Sequence, residues 1–157
     1  MYLKLDTKKI GHAGTLDPMA TGVLVLGVGI ATRLLTYITD GKKAYEATIN
    51  LGRATHTDDK DGDVISTATA DQIAKINDEV ITNELAKFVG TIKQRPSSVS
   101  AIKIDGKSAH ARVRAGESVD IPERDVTIDE IVVKEIRHTA TAIEVDVSVT
   151  CSAGTYI

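Results

Sequence analysis

The stretch Ala142-Ile-Glu-Val-Asp-Val-Ser-Val-Thr150 decides the fold class. Ile143, Val145, Val147 and Val149 alternate with Glu144, Asp146, Ser148 and Thr150. Side chains of a strand point to opposite faces with period two, so this run predicts a strand with one apolar and one polar face. A strand of that kind belongs to an antiparallel sheet covered on one side only. Working outward, Val126 to Ile136 predicts a second long strand, and Ala44-Tyr-Glu-Ala-Thr-Ile-Asn-Leu51 predicts an alternating, half-buried third. The continuous run Val23-Leu-Val-Leu-Gly-Val28 predicts a buried strand.

Helical signals lie between these strands. Leu34, Leu35 and Ile38 recur at helical spacing within Ala31 to Ile38, and Asp40-Gly41 ends that segment. Asp71 to Ile76 and Thr82 to Val89 predict two short helices, the second with Thr82 as N-cap, Glu84 in its first turn and Gly90 as its stop. Residues 53–63 are polar and acidic and predict a loop. Ser100 to Ile104 predicts a strand, Asp105-Gly106 a tight turn, and Ser108 to Ala115 a short basic helix ending at Gly116. Strands and helices mix without a regular βαβ beat. The fold class expected is therefore α+β, a mixed, mainly antiparallel sheet with flanking helices.

The chain has 157 residues with 42% apolar side chains, about one domain's worth and enough to bury a core. Lys and Arg number 19 against 22 Asp and Glu, a net charge of -3, which removes the argument from a globally basic chain. The distribution is uneven: residues 1–60 carry eight basic and six acidic side chains, and residues 91–125 carry seven and five. Residues 61–90 carry two and six, and residues 126–157 two and five. Phosphate binding depends on local potential, so a face built from the two basic segments could still meet RNA. The single cysteine, Cys151, excludes a disulfide framework and a cysteine-rich zinc site. His12, His56, His110 and His138 show no ligand spacing, so no metal is expected. The longest apolar run is too short to span a bilayer, and the first residues do not read as a signal peptide. A soluble, cytoplasmic protein is the expectation.

Three constellations invite chemistry. Gly27-Val-Gly29 follows a strand, but Thr32 stands where a dinucleotide fingerprint needs its third glycine, so a tight turn is the better reading. Thr57-Asp-Asp-Lys-Asp-Gly62 resembles a calcium loop only briefly: with Gly62 at the sixth position, the first ligand would be Thr57 and the twelfth Ala68, with no bidentate carboxylate. A turn-rich loop is expected there. The third, Gly11-His-Ala-Gly-Thr-Leu-Asp-Pro-Met-Ala-Thr-Gly22, presents one carboxylate on a loop rich in glycine. Pro18 pushes Asp17 toward extended geometry, and glycines permit close approach of a ligand. Asp17 on such a loop is either a nucleophile or base, or the local cap of a structural turn.

At this loop the sequence resembles the catalytic motif of TruB-type tRNA pseudouridine synthases, through Gly11-His-Ala-Gly-Thr-Leu-Asp-Pro-Met-Ala-Thr-Gly-Val-Leu24. The resemblance continues through Lys43-Ala-Tyr45, Thr55-His-Thr-Asp-Asp-Lys-Asp-Gly62 and Pro96-Ser-Ser-Val-Ser-Ala-Ile-Lys103. It goes on through Gly106-Lys107, Arg112-Val-Arg-Ala-Gly-Glu117 and Gly154-Thr-Tyr-Ile157, in the family's order. It implies the pseudouridine synthase fold and isomerisation of uridine 55 in the T-loop of tRNA, with no cofactor and no metal, by a monomer that binds the T-arm and no membrane. Asp17 would be the catalytic carboxylate, acting either on the uracil ring or at the sugar. Tyr45 would stack on the target base and assist proton removal from its carbon. Gly14, Thr15, Leu16 and Tyr156 would form the substrate pocket. His12 would help hold the opened T-loop, and Lys103, Lys107, Arg112 and Arg114 would contact phosphates, which carries charge but no sequence information.

The same resemblance sets expectations about extent. Residues 1–157 correspond to part of the catalytic domain. An opening Lys-Pro-x-Gly strand, the end of that domain and a C-terminal RNA-binding domain have no counterpart in the chain. The family's Gly-Thr-Tyr-Ile is followed by an arginine that pairs with the catalytic aspartate, so this portion alone is expected to turn over poorly. Val99 and His110 stand where many members carry aromatics. Two alternatives remain: a catalytically impaired fragment that only binds the T-arm, and the guide-RNA-directed branch of the family.

Overall fold

The computed structural model describes residues 7–96 and 121–157, and the backbone of 103–104 and 107–108. The chain divides into two compact units, Met1–Lys42 and Lys43–Ile157. In the first, β1 (Ile10–His12) pairs antiparallel with β2 (Leu26–Val28), Gly11 opposite Gly27. A 3-10 turn over Gly29–Leu34 runs directly into α1 (Leu35–Thr39), so the expected helix at Ala31 to Ile38 exists but begins in tighter winding. Thr32 Oγ1 donates to the Gly29 carbonyl at 2.8 Å and holds that first turn.

The expectation of a buried strand over Val23 to Val28 is corrected here. Only Leu26–Val28 pairs, Gly27 alone is buried, and Val23 is 89% exposed. The partner β1 is three residues long, so the ladder stops at Leu26, and beyond it, among the described residues, only the Val25 carbonyl is met, by the Ala13 N–H.

The second unit is built on a four-stranded antiparallel sheet in the order β3 (Lys43–Leu51), β10 (Ile143–Cys151), β9 (Arg124–His138), β6 (Gly90–Gln94). The period-two reading of residues 142–150 holds: Ile143, Val145, Val147, Val149 and Cys151 are all buried, and their polar neighbours are not. These five side chains form the core with Ile73, Ile81 and Ile128, and Ala47, Ile49 and Leu51 of β3 pack against it. Complete burial of each such aliphatic side chain is worth about 1.5–3 kcal/mol. This one face, covered by two short helices, holds the buried cluster.

Those helices are α2 (Ala70–Ile73) and α3 (Asp78–Ala86). α2 opens on a capping box: Thr69 accepts from the Gln72 N–H, and the Gln72 side chain accepts from the Thr69 N–H. α3 starts four residues before the expected position. Asn77 is its N-cap, accepting from the Val80 N–H at 2.9 Å, whereas the Thr82 hydroxyl lies inside the helix and donates to the Asp78 carbonyl. Glu84 accordingly sits in the last turn, paired with Lys87. Asn and Thr both cap well, and Asn77 wins because Val80, Ile81 and Leu85 start the apolar periodicity three residues after it.

Gly90 does follow a helix end, with φ +110, and it also opens β6, a strand the local pattern does not reveal. Residues 53–63 contain β4 (Arg53–Thr55), paired with β5 (Val64–Thr67). The turn within is closed by Asp59, which accepts from the Thr57 hydroxyl and the Asp61 and Gly62 N–H groups. β7 (Lys103–Ile104) pairs with β8 (Lys107–Ser108), so Ser108 is a strand residue and not the start of a basic helix. The rest of that helix, the turn at 105–106 and residues 100–102 lie outside the described residues. The architecture is α+β, with antiparallel sheets and few helices among the described residues, as the mixed pattern predicted. No helix among the described residues is long and apolar enough to cross a membrane.

Candidate functional site

In the first unit, the β1–β2 ribbon closes the base of a loop over residues 13–25. The buried Ala13 donates its N–H to the Val25 carbonyl at 3.0 Å, and the Gly29 N–H reaches Lys9 O at 2.8 Å. At the loop's far end the Ala20 N–H donates to the Asp17 carbonyl at 2.9 Å. Asp17-Pro-Met-Ala20 is thus a β-turn with aspartate first and proline second, the positions each residue favours. The Asp17 carboxylate is exposed and has no hydrogen-bond or ion-pair partner among the described residues. The backbone turn locates it and leaves the side chain available.

His12 sits at the end of β1 with its ring Nδ1 on the Gly14 carbonyl, which leaves Nε2 as the outward nitrogen. Gly14 has φ +118, a conformation that side chains other than hydrogen rarely adopt. Thr15 and Leu16 are exposed between it and Asp17. Five of the candidate residues (His12, Gly14, Thr15, Leu16 and Asp17) are therefore gathered on one loop of the first unit.

The remaining candidates belong to the second unit. Tyr45 on β3 stands opposite Val149 of β10, on the face that also bears Ala47 and Ile49. It is 38% exposed. Tyr156 follows a turn in which the Thr155 N–H reaches Ser152 O and Gly154 takes φ +80 at the third position. Thr155 is buried, its hydroxyl donating to the Ser152 carbonyl at 2.9 Å. Ser152 is itself stitched to β9 through the Thr127 backbone. Lys103 and Lys107 lie on the paired strands β7 and β8. Arg112 and Arg114 lie outside the described residues, as do Val99 and His110.

Two residues that sequence reasoning missed hold Tyr156. The Gln94 carboxamide accepts from the Tyr156 N–H at 2.9 Å and donates to the Tyr156 carbonyl at 2.7 Å. Arg124 places its guanidinium carbon 5.2 Å from the Tyr156 ring centroid and donates Nη2 to the Gly154 carbonyl. Its Nε is buried without a partner among the described residues.

The polar face of the main sheet carries a separate ionic cluster. Arg137 bridges Glu135, Glu144 and Asp146, and Thr48 donates to Asp146 at 2.6 Å. Hydrogen bonds from Arg137 and then Thr48 pull the Asp146 carboxyl down to about 2. Lys134, beside the register shift opposite Asp146 and Val147, bonds Glu46 and lowers that carboxyl too. Burial raises the Cys151 thiol, so it is an inert core group. No cluster of three or more His, Cys, Asp or Glu able to hold a metal is present among the described residues.

Comparison with known proteins bears on this arrangement. The family model described as TruB family pseudouridylate synthase, N-terminal domain, matches residues 3–157. A protein named tRNA pseudouridine synthase B from Corynebacterium diphtheriae is 56% identical over 152 residues, 97% of this chain and 51% of its own length. Proteins of the same name from Rhodococcus jostii and Leifsonia xyli are 52% and 51% identical, with 98% and 96% of this chain covered and 49% and 50% of their own. The chain thus spans about half the length of the curated relatives it matches. The crystal structure of a Cbf5-Nop10-Gar1 complex contains a chain similar to this one at a TM-score of 0.59 and 27% identity, over 96% of this chain and 33% of that one.

Proposed function

From the premise that this chain belongs to the TruB family of pseudouridylate synthases, which its match over residues 3–157 establishes, we propose that the protein isomerises uridine to pseudouridine at position 55 in the T-loop of tRNA. We assign residues 1–157 to the catalytic domain, of which they form a part. The observation that carries the reading is Asp17: an exposed carboxylate without a partner among the described residues, on a turn fixed by its own backbone, inside the matched family region.

The reaction breaks the N1–C1′ glycosidic bond, turns the base and forms a C5–C1′ bond; the C5 proton leaves and N1 gains one. Neither redox change nor group transfer to a second molecule is involved, so no cofactor or metal is needed. Asp17 supplies the carboxylate that attacks the ring or the sugar carbon. Tyr45 provides the aromatic face against which the extruded base stacks, and its hydroxyl assists removal of the C5 proton. Gly14, Thr15, Leu16 and Tyr156 line the pocket, and the His12 ring meets the opened T-loop. Lys103, Lys107, Arg112 and Arg114 contact phosphates of the T-arm. The enzyme works as a cytoplasmic monomer.

The test uses the chain extended after Ile157 with the remaining sequence of the Corynebacterium diphtheriae relative. Incubated with tRNA carrying 5-tritiated uridine, it releases one tritium per tRNA, and a transcript with cytidine at position 55 releases none. Tight T-arm binding without release would replace the enzyme reading by a binding module. Release only in the presence of a guide RNA would place the protein in the guided branch.

A further inference from the structure

A tyrosine just past a tight turn at a strand end has no ladder to hold it, yet Tyr156 is fixed at both backbone and ring. Gln94 pairs with the Tyr156 N–H and C=O at 2.9 and 2.7 Å, the same two bonds that a neighbouring strand would make. Its carboxamide therefore extends the sheet by one residue with a side chain in place of a peptide. Arg124 stands directly opposite Gln94 in the β6–β9 register. It adds what the amide cannot, a cation over the ring at 5.2 Å, within the range where the ring quadrupole attracts it.

The same guanidinium fills the space beside Gly154. A Cβ built there would stand 3.4 Å from Nη2 and 3.6 Å from the guanidinium carbon, on a backbone with φ +80 that disfavours a side chain anyway. Arg124 is thus in contact with the turn, through the Gly154 carbonyl, and with the ring that the turn projects. The two residues arrive from 62 and 30 positions away in sequence and meet on one three-residue segment.

We propose that Gln94 and Arg124 are a positioning pair that sets the Tyr156 ring before substrate arrives, Gln94 by fixing its backbone and Arg124 by fixing its rotamer. This deepens the proposed function and rests on it, since Tyr156 matters to turnover only as a wall of the uridine pocket. A wall that must receive an extruded base gains from being held beforehand by its own supports. Neither residue touches the reacting atoms; both act through Tyr156.

The experiment has two arms. In the first, the 157-residue chain is labelled with 3-fluorotyrosine, giving one 19F resonance for each of its four tyrosines, and Tyr156→Phe assigns the relevant one. Arg124→Met should shift that resonance, Gln94→Leu should broaden or split it, and Arg124→Lys should restore most of the native shift. In the second arm, the extended protein is assayed in single turnover. Arg124→Met and Gln94→Leu should slow pseudouridine formation by about 10- to 100-fold, the scale of a misplaced contact. Their tRNA Kd should stay within about twofold, and Arg124→Lys should recover most of the rate; a tenfold change corresponds to about 1.4 kcal/mol. An unchanged 19F resonance, or a rate loss matched by loss of binding, overturns the proposal. If the unsubstituted protein forms no pseudouridine, the functional reading falls, and the 19F arm still decides whether the pair holds the ring.

Discussion

Gly11 and Gly27 stand directly opposite each other in the ribbon below the Asp17 loop, and the Leu35 side chain of α1 closes over both. A Cβ at Gly11 would lie 2.9 Å from Leu35 Cδ1, the movable end of the side chain. At Gly27 it would lie 2.9 Å from Leu35 Cγ, which moves only if the whole side chain changes rotamer, and 3.1 Å from the Ala31 carbonyl oxygen, which is backbone. Gly27→Ala should therefore destabilise the chain by about 1–3 kcal/mol, the usual scale of overpacking, and Gly11→Ala by less. Urea denaturation read by circular dichroism checks the ranking. Adding Leu35→Ala should relieve Gly11→Ala more completely than Gly27→Ala, because only the latter also strikes backbone.

The Asp17 carboxylate contributes nothing to the packing of its own loop, since the turn is closed by its carbonyl. Asp17→Asn should leave the urea midpoint and the tRNA Kd of the extended protein unchanged. It should lower tritium release by the extended protein at least about 10³-fold, as loss of a group acting in the transition state does. Release at the native rate would remove Asp17 from the chemistry.

Elements readable from sequence were those whose local pattern and tertiary role coincide. The alternation from Ile143 to Val149 specifies a one-sided strand wherever it is placed, and the burial follows it residue by residue. β6, Gly90-Thr-Ile-Lys-Gln94, has a single large apolar residue and becomes a strand only because β9 offers a ladder. Val23 and Leu24 show the converse, strong local β propensity beyond the end of the β1–β2 ladder. At the site, the glycines, Pro18 and Asp17 announce an ordered loop because turn chemistry is local. Gln94 and Arg124 announce nothing: a glutamine and an arginine in polar surroundings gain their role only through contacts 62 and 30 residues away.

The start of α3 separates two cap candidates that sequence alone could not. Asn77 accepts from the Val80 N–H, so Asn77→Ala should cost about 1 kcal/mol in urea denaturation. Thr82→Ala should change stability by a few tenths at most, because its hydroxyl bonds a carbonyl that the helix already satisfies. Equal losses at both positions would show that the helix starts later than Asp78.

The Arg137 cluster ties part of the chain's acid stability to the Asp146 carboxyl. Asp146 titrates at about 2 in the folded chain against an ordinary value of 3.8, held down first by the Arg137 hydrogen bond and then by Thr48. A carboxyl with a depressed folded value binds protons more readily when unfolded. Its stabilisation is therefore complete above the ordinary value and lost as pH falls from 3.8 toward about 2. Asp146→Asn should lower the urea midpoint at pH 7 modestly, since the cluster is partly exposed and screened. It should also flatten the further decline between pH 4 and pH 2. Raising salt to about 1 M should narrow the gap between the two proteins at pH 7. An Asp146→Asn protein whose midpoint falls with acid as steeply as the native one would assign the acid sensitivity to other carboxyls.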